Sequence, residues 1–181
     1  MPIKHLKSPT LAVCFTLCMV SPPSSAIIPY GDNVHLSGTL VAEPCTLRPG
    51  DENIRVDFGG IVDKYLYING RSPSQAFQLH LQGCDLSIGK QLNVSFSGNE
   101  SSVLPGLLAV QQSNSGIAVG IEDAGGKAIA LNSGSKEVTL EKGDMTLKFA
   151  AWIQGEPQAI KAHTIARGEF SAVATFRLDY R

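Results

Sequence analysis

The chain has 181 residues, with 15 basic and 16 acidic side chains and a formal net charge of −1. No basic face follows from that balance, so nucleic acid and an anionic membrane are not expected partners. Lys4, His5 and Lys7 precede an apolar run of ten residues, Leu11 to Val20, which is too short to span a bilayer as a helix. With Ser24-Ser25-Ala26 as a cleavage site, residues 1–26 read as a secretory signal and Ile27 as the mature start. The remaining 155 residues suit a single domain with 13 basic and 16 acidic side chains, a net of −3.

Cys14 and Cys18 leave with the signal, and Cys45 and Cys84 remain. Two cysteines in an exported chain predict one disulfide. His35, His80 and His163 are scattered and show no ligand spacing with them, so no metal site and no cofactor are expected.

In chain order, Ile27 to Asn33 reads as a flexible leader punctuated by Pro29 and Gly31. Val34 to Ala42 alternates, with Val34, Leu36, Gly38 and Leu40 on one face and His35, Ser37 and Thr39 on the other. A glycine inside such a strand marks a close backbone approach or a place without room for a side chain. Residues 53–59 (NIRVDFG) predict a short strand, and 60–74 a loop with Asn69-Gly70 and Pro73 as turn signals. Residues 76–84 alternate through Phe77, Leu79 and Leu81, and 91–97 through Leu92, Val94 and Phe96. Short strands are expected at 107–111 and 116–123, apolar patches at 127–131 and 136–140, and a longer strand at 145–154. Trp152 is expected in the core. A connection broken by Pro and Gly leads to Gly168.

The final stretch, GEFSAVATFRLDYR (168–181), alternates from Phe170 to Tyr180 with only Val173 off pattern. It predicts a strand with one buried face and no later strand to pair with it, an edge that proteins usually cover. No segment of helical period stands out, and short strands with turn chemistry between them predict an all-β sandwich.

Catalytic chemistry finds no support. There is no G-x-S-x-G elbow, and no histidine stands near a signature nucleophile. His80 falls on the polar phase of its strand and is expected to be exposed, as are Glu122 and Asp123, placed at a turn. No catalytic residue is assigned.

Several of these features together resemble the pilin subunits of chaperone–usher fimbriae. They are the alternating N-terminal segment with its central Gly38, the Pro44-Cys45 pair with Cys84 following, Gly168 fourteenth from the C-terminus, and the penultimate Tyr180. The stretches at 70–84, 104–108 and 168–181 resemble the minor tip-adaptor type within that family. The resemblance implies an incomplete immunoglobulin-like β-sandwich lacking the final strand, with an N-terminal donor-strand extension at 27–43 and a pilin domain at 44–181. It implies that Val34, Leu36, Gly38 and Leu40 form the donor strand, and that Gly168, Phe176, Leu178 and Tyr180 line an acceptor groove that also binds a chaperone. Implied partners are a periplasmic pilus chaperone, an outer-membrane usher and neighbouring pilin subunits, with transit through the periplasm to a fimbrium on the bacterial surface. Strand addition of this kind gives affinity through main-chain bonds and specificity through alternate side chains. Two other readings stay open on the residues alone: a self-contained secreted β-sandwich binding module, and a rod or terminator subunit of the same scaffold.

Overall fold

The computed structural model describes residues 36–112 and 114–181. The expected secretory signal and leader, with Val34 and His35, lie outside the described residues. Two antiparallel sheets build the unit Leu40–Arg181. The first has five strands. Its centre is β7 (Gly143–Gly155), flanked by β2 (Gln75–Cys84) and β5 (Ile117–Asp123). The two-residue strands β1 (Thr46–Leu47) and β4 (Leu108–Ala109) close its edges beside β2 and β5. The second sheet has three strands in the order β6 (Ser135–Thr139), β3 (Gln91–Gly98), β8 (Ala174–Tyr180).

The core lies between the inner faces, where period-two alternation delivers Leu79 and Leu81 from β2, Leu92, Val94 and Phe96 from β3, and Leu147, Phe149 and Ile153 from β7. Phe96 meets Phe149 edge-on with ring centroids 5.3 Å apart, an aromatic contact that ties the two sheets together. The Cys45–Cys84 disulfide joins residues 39 apart in sequence and pins the approach to β1 against the end of β2. By the chain-entropy account, closing a loop of that size is worth about 4 kcal/mol. Cys45→Ser is therefore expected to lower the melting temperature of the subunit complexed with an added strand by roughly 10 °C. An unchanged melting temperature on reduction would contradict this.

Several expectations are corrected. Residues 60–74 are not all loop: Asp63–Asn69 form the helix α1, closed by Gly70, whose N–H donates to the Leu66 carbonyl. The connection after β7 contains a second helix, α2 (Pro157–Ala162), opened by proline at its first turn, where no N–H is needed. Both helices are too short to show an apolar stripe. Residues 53–59 alternate as expected but join no sheet, and the described part of 34–42 forms no strand. The patch at 127–131 contributes only a bridge between Ala128 and Glu122. The last strand starts at Ala174.

Trp152 is buried, but on the outer face of the five-stranded sheet. It lies across Gly120, where a Cβ would clash with the indole, and under the Arg71 guanidinium, 4.3 Å from the ring centroid. The expected exposure of Glu122 and Asp123 is also overturned. Glu122 is held by Arg71 and Ser74, and Asp123 by Lys136 at 2.8 Å, both carboxylates being buried.

His80 is likewise half-buried rather than exposed, with Nδ1 2.8 Å from the buried Asp51 carboxylate. Burial alone would push the Asp51 carboxyl up. The His80 N–H and ring and the Arg48 guanidinium outweigh it and bring the group from 3.8 down to about 2. A carboxyl depressed in the folded state adds stability that is complete above its unfolded pKa, about 4, and is lost as pH falls towards 2. Acidification across that window is expected to lower the melting temperature of the subunit complexed with an added strand, and Asp51→Asn to flatten this part of the curve. An equally steep fall in the variant would rule Asp51 out as a contributor.

Candidate functional site

β8 is an edge strand with an apolar inner row. It pairs with β3 in the register Phe176–Phe96, Leu178–Val94 and Tyr180–Leu92. The facing rows differ sharply in burial. Leu92 and Val94 are 0% exposed and Phe96 is 4% exposed, whereas Ala174, Phe176, Leu178 and Tyr180 are only half-buried. Among the described residues nothing pairs with the other edge of β8; the Gln111 N–H reaches the chain at the Ser171 carbonyl, before the strand begins. The remaining edges are blunted. β1 and β4 are two residues long, and β6 carries Lys136 and Glu137.

A second row of half-buried apolar side chains comes from Ile54, Val56, Phe58 and Ile61. This segment alternates inward and outward like a strand, yet among the described residues its backbone joins no ladder. Its Phe58 ring meets Phe170 at 6.1 Å between centroids. At the far end of β8 the Tyr180 hydroxyl donates to the Cys45 carbonyl at 3.5 Å. Burial there pushes the Tyr180 phenol up, and the Glu43 carboxylate adds to the shift. Two rows of apolar side chains thus lie over the core; among the described residues β8 has one edge and segment 54–61 both edges outside any ladder. Buried peptide groups need partners, so this arrangement suits an added extended strand.

Near Gly168 the surface opens into a cavity of about 250 Å³. Its apolar lining comes from Ile61, Leu66, Ile117, Ile153, Ile165 and Phe170. Gly168 lines the cavity with φ +138°, a backbone conformation that favours glycine. Asp63 and Arg167 also line it, joined by an ion pair of 2.7 Å. The Arg167 guanidinium holds the Asp63 carboxyl below the usual range, and Asp63 in turn raises Arg167.

The structure therefore brings Phe176, Leu178 and Tyr180 onto one face, with Gly168 at the cavity upstream of them. Leu36 and Leu40 are 91% and 101% exposed, and a Cβ at Gly38 would meet nothing within 4 Å. Sequence reading missed the row Ile54, Val56, Phe58 and Ile61 as part of the site. Its alternation was visible, but nothing local tells an unpaired strand from a paired one. Among the described residues no cluster of three or more His, Cys, Asp or Glu side chains is arranged to hold a metal.

The family described as "Fimbrial protein" matches residues 34–181. The chain belongs to the fimbrial protein family. It is 36% identical over 149 residues to the "Major MR/P fimbria protein" of Proteus mirabilis, covering 82% of this chain and 83% of that protein. It is 29% identical over 157 residues to the "Fimbrial adapter PapK" of Escherichia coli, covering 82% of this chain and 88% of that one. Among solved structures, a chain from a chaperone–usher pilus superposes with a TM-score of 0.67 at 25% identity, covering 85% of this chain and 98% of that one. The protein is thus a chaperone–usher fimbrial subunit, a structural pilin and not an enzyme. Its fold is the incomplete immunoglobulin-like sandwich of pilins, and fimbrial subunits of this kind assemble with neighbouring pilins into surface pili.

Proposed function

We propose that this pilin polymerises by donor-strand exchange, offering Val34, Leu36, Gly38 and Leu40 to a neighbour and accepting the equivalent strand along β8. The observation that carries the reading is the half-buried inner row of β8 together with segment 54–61, which also packs on the core and joins no ladder among the described residues. The donor stretch from Val34 to Leu40 matches the seven residues of β8 in length. Antiparallel pairing, the more favourable arrangement, would lay an incoming Leu40 towards the Gly168 cavity and Val34 towards Tyr180. In transit through the periplasm a chaperone strand covers the same edge, and the outer-membrane usher is where the exchange takes place. Residues 27–43 then act as the donor extension and 44–181 as the acceptor domain.

Within the fibre we assign the chain an adaptor-like minor position. The stretches at 70–84 and 104–108 and the likeness to an adapter over most of its length favour that place. The 36% identity to a major fimbria protein favours a second reading, a rod subunit. Gold-labelled antibody on intact fimbriae separates them. The adaptor reading expects sparse label near one end, and label along the whole shaft would establish the rod reading instead.

A further inference from the structure

The cavity at Gly168 has an apolar floor and a charged rim, and the rim is built from two walls. One wall is Ile61 to Leu66, running into the first turn of α1; the other is Ile165 to Phe170. Asp63 belongs to the first wall and Arg167 to the second. Arg167 Nε donates to Asp63 Oδ2 at 2.8 Å, and Arg167 Nη2 lies 2.7 Å from the same oxygen. The other carboxylate oxygen, Oδ1, accepts from the Lys64 N–H at 2.8 Å, so both Asp63 oxygens are engaged. The Asp63 side chain is 16% exposed and that of Arg167 82% exposed. The pair is therefore anchored on a carboxylate with both oxygens engaged and closed by a solvent-exposed guanidinium.

We propose that the Asp63–Arg167 pair is a latch that joins the two walls of the Gly168 cavity and slows the entry of an exchanging strand. The inference rests on the donor-strand reading above and concerns the regulation of that same site. A side chain bound for the floor, where Ile153 is fully buried, has to pass the rim the pair holds together. Just outside these walls the chain is held by aromatic contacts: Tyr67 edge-on to His163 at 4.6 Å, and Phe58 against Phe170. The ion pair is the tie between the walls that responds to salt. Exposed ion pairs are weak, and that suits a latch: enough to delay, too little to block. Releasing it should speed exchange by about two- to fivefold. Added salt should do the same by screening the charges.

The test uses the full secreted subunit held by its periplasmic chaperone, with a synthetic peptide of residues 27–43 as the incoming strand. Replacement of chaperone by peptide is followed by native mass spectrometry at low and high salt. Asp63→Asn and Arg167→Gln should each exchange about two- to fivefold faster than the parent at low salt, and salt should accelerate only the parent. The charge swap Asp63→Arg/Arg167→Asp should restore slow, salt-sensitive exchange. Single variants that exchange at the parental rate with the parental salt response would overturn the latch while leaving donor-strand exchange standing. No exchange in any of the proteins would overturn both.

Discussion

Leu178→Asp is expected to abolish chaperone capture and to remove the subunit from the periplasm. Leu178 sits in the middle of β8 opposite Val94, which is fully buried, and it packs against the core. In the uncapped subunit the site is half-buried, so the fold tolerates an aspartate there in part. Once a strand covers the edge, the carboxylate is sealed against an apolar floor with no cation assigned to meet it. Enclosing an unpaired charge is among the few changes that cost several kcal/mol, and each ~1.4 kcal/mol is a tenfold loss of affinity. On the order of 4 kcal/mol would leave about one complex in a thousand. Tyr180→Ala should act in the same direction more weakly, by removing apolar area and the hydroxyl bond to the Cys45 carbonyl. Periplasmic level and chaperone co-purification are the measurements. Normal accumulation of Leu178→Asp would mean that β8 does not line a groove.

Changes in the donor segment should have the opposite signature: fibre assembly fails while the subunit itself is untouched. Leu36 is almost wholly exposed, and an added side chain at Gly38 has open space around it. Leu36→Asp and Gly38→Trp should therefore leave folding and chaperone binding unchanged. In the neighbour's groove the same positions are proposed to be enclosed. Burying Val34, Leu36 and Leu40 would contribute roughly 1.5–3 kcal/mol each before ordering entropy is subtracted. Leu36→Asp exchanges one of those contributions for a charge, and Gly38→Trp places an indole where the donor backbone comes close. Both should stop extension at the variant subunit, seen as chaperone complexes that accumulate without fibres. Loss of chaperone binding in either variant would count against the division of roles between the two segments.

The elements that could be read in advance are those whose burial is written locally. β2, β3 and β8 each put one face on the core, so alternation through Leu79, Val94 and Leu178 is visible in a window of a few residues. The helix α1 was not legible because only Leu66 of its residues is buried, while Tyr65 and Ile68 face outwards and leave no apolar stripe. Trp152 follows Ala151 and precedes Ile153, both buried, so the strand reads as continuously apolar and hides which face the indole takes. That face is decided by Gly120 across the sheet and by Arg71, a partner far away in sequence. Burial of Glu122 is likewise set by Arg71 and Ser74, some fifty residues upstream, and no local pattern reports it. The candidate site was half legible for the same reason. The β8 row shows in its own alternation, whereas the role of Ile54 to Ile61 depends on what lies beside it.

The most direct test of the missing strand is reversible unfolding of the purified chaperone-free domain 44–181, with and without added peptide 27–43. The account predicts no cooperative transition for the domain alone and a sharp, two-state transition for a one-to-one complex with the peptide. A lone monomer that melts and refolds cooperatively with no added strand would contradict it.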